Sequence, residues 1–284
     1  MAVTAIASLS TLLMVAPLTA RESVDALTCG ELEKVAFAAW TPWWFFVRPA
    51  ERPPPPGAVL APEAKMTDGV TLRGIMVPAS EAPERRRALL VLYGNLAYSD
   101  LFYQALKPLN VFDPRYDTFI YDYRGYWRSD GSPLLRAIVD DVGELVGILA
   151  KRYDEIRIYG TSLGALIATR AALEDRKVTS IFLDGIVSRL ADLSKDCPKG
   201  RLDPIDMSDV TCEKVTLLIG RYDSLFRPED AEPFIERMKS CGNLHVDERT
   251  DLGHPFSEGL NDRERASTLR AGIIREWLAS DLAH

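Results

Sequence analysis

The sequence predicts an α/β fold, a mostly parallel central sheet with helices on both faces, and three observations carry that expectation. From Lys65 onward, short apolar runs alternate with longer stretches of helical periodicity. One run, Ala88-Leu89-Leu90-Val91-Leu92-Tyr93, is continuously apolar, as a strand buried on both faces of a sheet must be. Hydrophobic residues make up 47% of the chain and charged residues 26%, the balance of a chain that folds compactly around a core. Strands that alternate with helices pair in parallel, because each crossover helix then covers a sheet face.

In chain order, residues 1–20 carry no charged side chain, are largely apolar and end in Pro17-Leu18-Thr19-Ala20 before Arg21 and Glu22. They read as a signal peptide or an N-terminal membrane anchor, since about 20 apolar residues can span a bilayer as a helix. A secretory signal normally carries Lys or Arg ahead of its apolar stretch, whereas here only the α-amino group supplies positive charge. Cleavage after Ala20 is therefore open, and a buried N-terminal helix is the alternative. The expected location is the cell envelope, periplasm or exterior. Thr28 before Cys29 fits a lipoprotein cleavage site poorly, which sets lipidation aside.

Residues 35–47 read VAFAAWTPWWFFV, too short to span a bilayer and rich in tryptophan, which favours the water–lipid boundary. They either engage a membrane surface or pack as an arm on the domain that follows. Arg52-Pro53-Pro54-Pro55-Pro56-Gly57 follows as a stiff extended linker, because proline fixes φ and donates no hydrogen bond. The chain thus divides into a targeting segment at 1–20, an arm and linker at 21–57, and the main α/β unit at 58–284.

Within that unit Thr67-Asp68-Gly69-Val70 predicts a hairpin turn. Strands are expected at 88–93, 118–123, 155–159, 180–183, 215–219 and 244–248, with helices at 134–151, 163–173, 231–239 and 267–278. There is no internal repeat. The net charge of -7 comes with no run of Lys and Arg to follow a phosphate backbone, which excludes nucleic acid as an expected partner. Cys29, Cys197, Cys212 and Cys241 form an even set that an oxidising compartment could pair, Cys197 with Cys212 most locally, and buried free thiols are the equal alternative. They lack the short spacing of a zinc site, and with three histidines in the chain no metal site is expected.

The chemistry centres on Gly160-Thr161-Ser162-Leu163-Gly164, between the strand Ile156-Arg157-Ile158-Tyr159 and a helix. Glycines on both sides allow a sharp strand-to-helix turn that exposes the Ser162 hydroxyl beside helix N–H groups suited to developing negative charge. The alternative is a serine that merely caps the helix. A serine hydroxyl needs a base. His284 is the C-terminal residue, and His245 lies inside a strand, where a partly buried structural role is expected. His254, in Asp251-Leu252-Gly253-His254-Pro255-Phe256 after the last strand, is the candidate general base. Asp223, just after the strand Val215-Thr216-Leu217-Leu218-Ile219, is the candidate acid that orients the imidazole. Asp184, one strand earlier, is its rival. Glu229 and Asp230 read as first-turn helix residues after Pro228.

With these residues in place the sequence resembles the α/β-hydrolase family, specifically its esterase, thioesterase and serine-peptidase-like members, from Lys65 to the C-terminus. Tyr121-Asp122-Tyr123-Arg124-Gly125-Tyr126-Trp127-Arg128-Ser129-Asp130-Gly131 is similar to a family segment in which a strand ends in Asp-Tyr-Arg-Gly, with Trp127 where the family usually has glycine. Tyr93-Gly94-Asn95-Leu96 resembles the family's His-Gly-Asn turn, with Tyr93 in place of histidine. The resemblance implies an oxyanion hole of backbone N–H groups at Asn95 and Leu163.

The implied reaction is acyl transfer through Ser162, with no cofactor or metal, on a small-molecule carboxylic ester or thioester. Residues 187–214 are too short for a large lid. A peptide bond, or an acceptor other than water, is the alternative on the same triad. A noncatalytic binding module of the envelope, associating with membrane through residues 1–47, is the reading from another class.

Overall fold

Apolar runs flanked by turn residues become the strands of one sheet in the computed structural model, which describes Gly30, Phe37 and residues 52–81, 85–95, 97–171, 176–190, 202–209, 215–239, 244–256 and 263–280. The strands are β1 (Val59–Leu60), β2 (Ala64–Lys65), β3 (Thr71–Leu72), β4 (Gly74–Val77), β5 (Arg87–Leu92), β6 (Asp117–Tyr121), β7 (Glu155–Thr161), β8 (Val178–Asp184), β9 (Val215–Gly220) and β10 (His245–Arg249). The helices are α1 (Ser99–Leu106), α2 (Leu135–Ala150), α3 (Leu163–Ala171), α4 (Pro228–Lys239) and α5 (Arg263–Ser280). The segment 1–20, all of 35–47 except Phe37, the four cysteines and His284 lie outside the described residues, and so do the readings that rest on them. Among the described residues no helix is long and apolar enough to cross a membrane.

Eight strands form the main sheet in the order β1-β4-β6-β5-β7-β8-β9-β10. From β6 to β10 all neighbours are parallel, while β4 and β1 extend the sheet antiparallel at one edge. The expected hairpin is the separate β2–β3 pair, turned by Gly69 at φ +90° with the Met66 N–H donating to Val70 O at 2.8 Å.

Alternation along β7 shows how both faces are covered. A Cβ built on Gly160 would sit 2.8 Å from Ala168 of α3, so the even positions face that helix. Arg157, on the opposite face, donates to the carbonyls of Trp277 and Leu278 at 3.0 and 3.1 Å and caps the last turn of α5. This buried arginine inside a strand satisfies helix carbonyls that would otherwise lose their water.

Three elements escaped the sequence expectation. β1 and β4 are two and four residues long, too short for a clear alternation. β4 is fixed instead by close backbone approach, since a Cβ on Gly74 would lie 2.2 Å from Ile120 O. α1 buries Phe102, Tyr103 and Leu106 after a loop that gives it no side-chain cap.

The proline-rich stretch is docked on the unit that carries the main sheet. Arg128 donates to Arg52 O at 2.7 Å, and Pro56 O accepts from the Tyr103 hydroxyl at 2.9 Å and from Lys107. Trp127, at φ +24°, stacks on Tyr98 with centroids 4.4 Å apart and carries the Arg52 guanidinium over its ring at 5.4 Å. Phe37 is buried edge-on against Tyr126.

Candidate active site

β7 ends at Thr161 and α3 begins at Leu163, which leaves Ser162 alone to reverse the chain. Its φ of +55° is left-handed, a conformation that costs a residue with a Cβ about 1–2 kcal/mol. The turn closes because its flanks are glycine. A Cβ on Gly160 would lie 2.5 Å from Gly164 O, and one on Gly164 only 1.9 Å from Leu92 O at the end of β5. Strand, turn and helix are thus in backbone contact, and the Ser162 N–H donates to Asp184 O at 2.9 Å.

The structure brings the three expected side chains together. His254 Nε2 lies 2.9 Å from Ser162 Oγ, and its Nδ1 lies 2.9 Å from Asp223 Oδ2. An ionised Asp223 can only accept, so the network assigns the proton to Nδ1 and leaves Nε2 to accept the serine hydroxyl. Asp223 is buried and anchored on its other oxygen, where Oδ1 accepts the N–H of Leu225 at 2.9 Å and of Phe226 at 2.7 Å. The Phe226 ring stands edge-on to the imidazole at 5.0 Å.

The rival acid serves elsewhere. Asp184 is fully buried and takes Arg270 Nε at 3.0 Å and the Tyr159 hydroxyl at 3.2 Å, and burial raises its pKa while Arg270 opposes the rise. His245 is exposed at the start of the edge strand β10, not partly buried as expected, because its neighbour in the register, Thr216, lies on one side only. Glu229 and Asp230 occupy the first turn of α4, and Asp230 accepts the Arg227 N–H at 3.1 Å.

Leu163, as the first residue of α3, has an N–H with no acceptor inside the helix. The other expected donor, Asn95, lies in a turn whose preceding residue, Gly94, would place a Cβ 3.2 Å from Ser162 Cβ. The Asn95 side chain accepts the Tyr126 hydroxyl at 2.8 Å.

Beneath that turn is a hub the sequence did not reveal. Tyr93 donates to Asp122 Oδ1 at 2.8 Å, Ser99 donates its N–H at 2.7 Å and its hydroxyl at 2.8 Å to the same carboxylate, and Arg128 N–H adds a fourth contact at 3.3 Å. The Tyr123 hydroxyl donates to Tyr93 O at 2.7 Å. Tyr93 therefore does more than fill the position of a histidine: its phenol fixes the floor beneath Gly94 and Asn95. Burial pushes the Asp122 carboxyl up to about 6 against these hydrogen bonds, and raises the Tyr93 phenol well above its ordinary range. The signal available beforehand was only the pairing of a tyrosine and an aspartate at the carboxyl ends of two strands.

Among the described residues no three His, Cys, Asp or Glu side chains converge as a metal site.

The chain matches the alpha/beta hydrolase fold family over residues 87–199. Protein bem46 of Schizosaccharomyces pombe is 28% identical over 143 residues, 46% of this chain and 45% of its own. Uncharacterized protein YfhR of Escherichia coli O157:H7 is 22% identical over 166 residues, 55% of this chain and 58% of its own. The matched region thus spans about half the length of each of these relatives. Among solved structures, an esterase of Pyrococcus furiosus superposes with a TM-score of 0.59 at 20% identity, covering 77% of this chain and 91% of its own. Est1E of Butyrivibrio proteoclasticus, solved with ferulic acid bound, gives 0.60 at 17% identity over 79% of this chain and 100% of its own. A serine hydrolase without a lid from Xanthomonas campestris gives 0.59 at 15% identity over 82% and 99%.

Proposed function

We propose that this chain, an α/β-hydrolase by fold and by family match, is a serine hydrolase that cleaves a carboxylic ester or thioester through an acyl-enzyme on Ser162. The observation that carries the reading is the unbroken relay from Ser162 Oγ to His254 Nε2 and from His254 Nδ1 to Asp223, each contact at 2.9 Å. A capping serine has no use for such a relay, and neither has a binding module.

In the first half-reaction Ser162 Oγ attacks the acyl carbon while His254 Nε2 takes its proton, and Asp223 stabilises the imidazolium. The carbonyl oxygen becomes an oxyanion held by the main-chain N–H groups of Leu163 and Asn95. Collapse breaks the bond to the alcohol or thiol, which leaves with the proton from His254. In the second half-reaction His254 deprotonates water, water attacks the acyl-serine carbon, and the proton returns to Ser162 as the carboxylic acid departs. Each side chain ends as it began.

The short connection between β8 and β9, with one short 3-10 helix at Pro204–Asp209 among its described residues, supports a substrate of moderate size rather than an oil surface met by a large lid. The esterase and the lidless serine hydrolase among the fold neighbours agree with that choice.

The test is mass spectrometry of the purified protein after treatment with a fluorophosphonate. A single adduct on Ser162, absent from Ser162→Ala, is expected. Folded wild type that takes no adduct would exclude an activated serine.

A further inference from the structure

We propose that Asp184 and Arg270 form a buried positioning pair that ties the nucleophile turn to the histidine loop and thereby sets the Ser162–His254 separation. The proposal rests on the triad reading given above.

Asp184 reaches the nucleophile through its main chain, since its carbonyl accepts the Ser162 N–H at 2.9 Å. Its carboxylate takes Arg270 Nε at 3.0 and 3.3 Å and the hydroxyl of Tyr159, three residues ahead of Ser162 on β7. Arg270 reaches the base from the other side. Its Nη2 donates to Gly253 O at 2.7 Å, the carbonyl immediately before His254, and its guanidinium lies 5.9 Å from the Phe256 ring two residues beyond the histidine. The path from Ser162 N–H to the peptide of His254 therefore runs through two side chains, both at 2% exposure or less.

A tight closure on the far side agrees with this role. Gly185, at φ +74°, donates its N–H to Leu218 O, and a Cβ there would meet Pro255 at 3.0 Å. The end of β8 thus presses on the residue after His254 while Arg270 holds the residue before it. A guanidinium can serve the carboxylate and the carbonyl at once because its donors form a rigid fork. An ammonium on a flexible stem can neutralise Asp184 but cannot hold both partners in one plane. Buried ion pairs are weak contributors to stability compared with apolar side chains of similar volume, so geometry is the stronger reason for this one.

The experiment compares wild type with Arg270→Lys and with the double variant Asp184→Asn/Arg270→Met, which leaves no orphan charge. Each is assayed for thermal midpoint, for the rate of Ser162 labelling by a fluorophosphonate, and for kcat and KM on a short-chain p-nitrophenyl ester. Displacing a base by on the order of 1 Å costs about a hundredfold, so the folded variants should label and turn over at least about tenfold more slowly, with KM within about twofold of wild type. Arg270→Lys should recover the thermal midpoint without recovering the labelling rate. A purely structural ion pair would let the lysine restore both, and that result, or wild-type labelling in either variant, overturns the pair's role while leaving the hydrolase reading intact. Failure of both variants to fold overturns it too, because the pair would then hold the fold rather than the site. Wild type that does not label would remove the hydrolase reading, and the pair's role with it.

Discussion

Asp223→Asn should abolish most turnover while barely touching stability, and the structure dictates why. The two carboxylate oxygens do different jobs. Oδ1 accepts two main-chain N–H groups, from Leu225 at 2.9 Å and Phe226 at 2.7 Å, while Oδ2 meets His254 Nδ1 at 2.9 Å. In the amide, only the carbonyl oxygen can face two donors, so the NH2 group must turn toward the imidazole. His254 Nδ1 then has to accept, the proton moves to Nε2, and the base no longer has a lone pair for the Ser162 hydroxyl. An acid-to-amide change of this kind in a triad lowers kcat by about 10⁴ through the wrong tautomer.

The cost in stability should be small, about 1 kcal/mol, because the three charge-assisted hydrogen bonds become neutral ones but all survive, and a buried amide costs less desolvation than the buried carboxylate it replaces. Asp223→Ala should differ. It strands the N–H groups of Phe226, which is buried, and of Leu225, which is half-buried, at about 1–3 kcal/mol each. Urea unfolding together with fluorophosphonate labelling rates would separate the two effects. Labelling of Asp223→Asn within about tenfold of wild type would refute the tautomer argument. Equal destabilisation by both variants would refute the division of labour between the oxygens.

Other expectations follow from the same contacts. Ser162→Gly should be more stable than Ser162→Ala by about 1 kcal/mol in chemical denaturation, since φ +55° strains any residue with a Cβ, and neither should label. Gly164→Ala would set a methyl 1.9 Å from Leu92 O, so α3 must move away from β5; labelling should fall by about a hundredfold or more and the thermal midpoint should drop, whereas a normal rate would contradict the backbone contact. Burial raises the Asp122 carboxyl from 3.8 to about 6, so the folded chain holds a proton in that window that the unfolded chain has released. The stability this group contributes is therefore complete below its unfolded pKa and is lost as pH rises through about 6, by about 3 kcal/mol at about 1.36 kcal/mol per pH unit. The stability of wild type relative to Asp122→Asn should fall across that range in pH-dependent urea unfolding, and a flat difference would exclude the raised carboxyl.

The parallel strands were legible because burial on both faces leaves near-continuous apolar runs, as in Arg87–Leu92 and Val215–Gly220. The three side chains at the site could be read for a different reason. In a parallel sheet the loops at the carboxyl ends of neighbouring strands meet in space, so a serine after β7, an aspartate after β9 and a histidine after β10 converge once the strand order is right. Short edge strands offer no such pattern. β4 depends on backbone contact with β6, and β1 in turn on pairing with β4, rather than on their own side chains, which is information that local sequence does not hold.

The supporting residues were harder to see, although one of them had left a trace. On α5, Ala266, Arg270, Ile273, Ile274 and Trp277 share the buried face, so an arginine interrupts an apolar stripe at helical spacing. A charge in that position implies a buried partner, since an isolated guanidinium in a core costs far more than the helix gains. The partner, Asp184, stands 86 residues earlier, and nothing in the local sequence names it. Asp122 and Tyr93 make the same point, 29 positions apart in the sequence. The groups proposed to do the chemistry are marked by motif and chain order, whereas the groups proposed to fix their spacing are marked only by being charged or polar where the fold is dry. Pairing such misplaced side chains is how the scaffold around Ser162 would be found in a sequence before its structure.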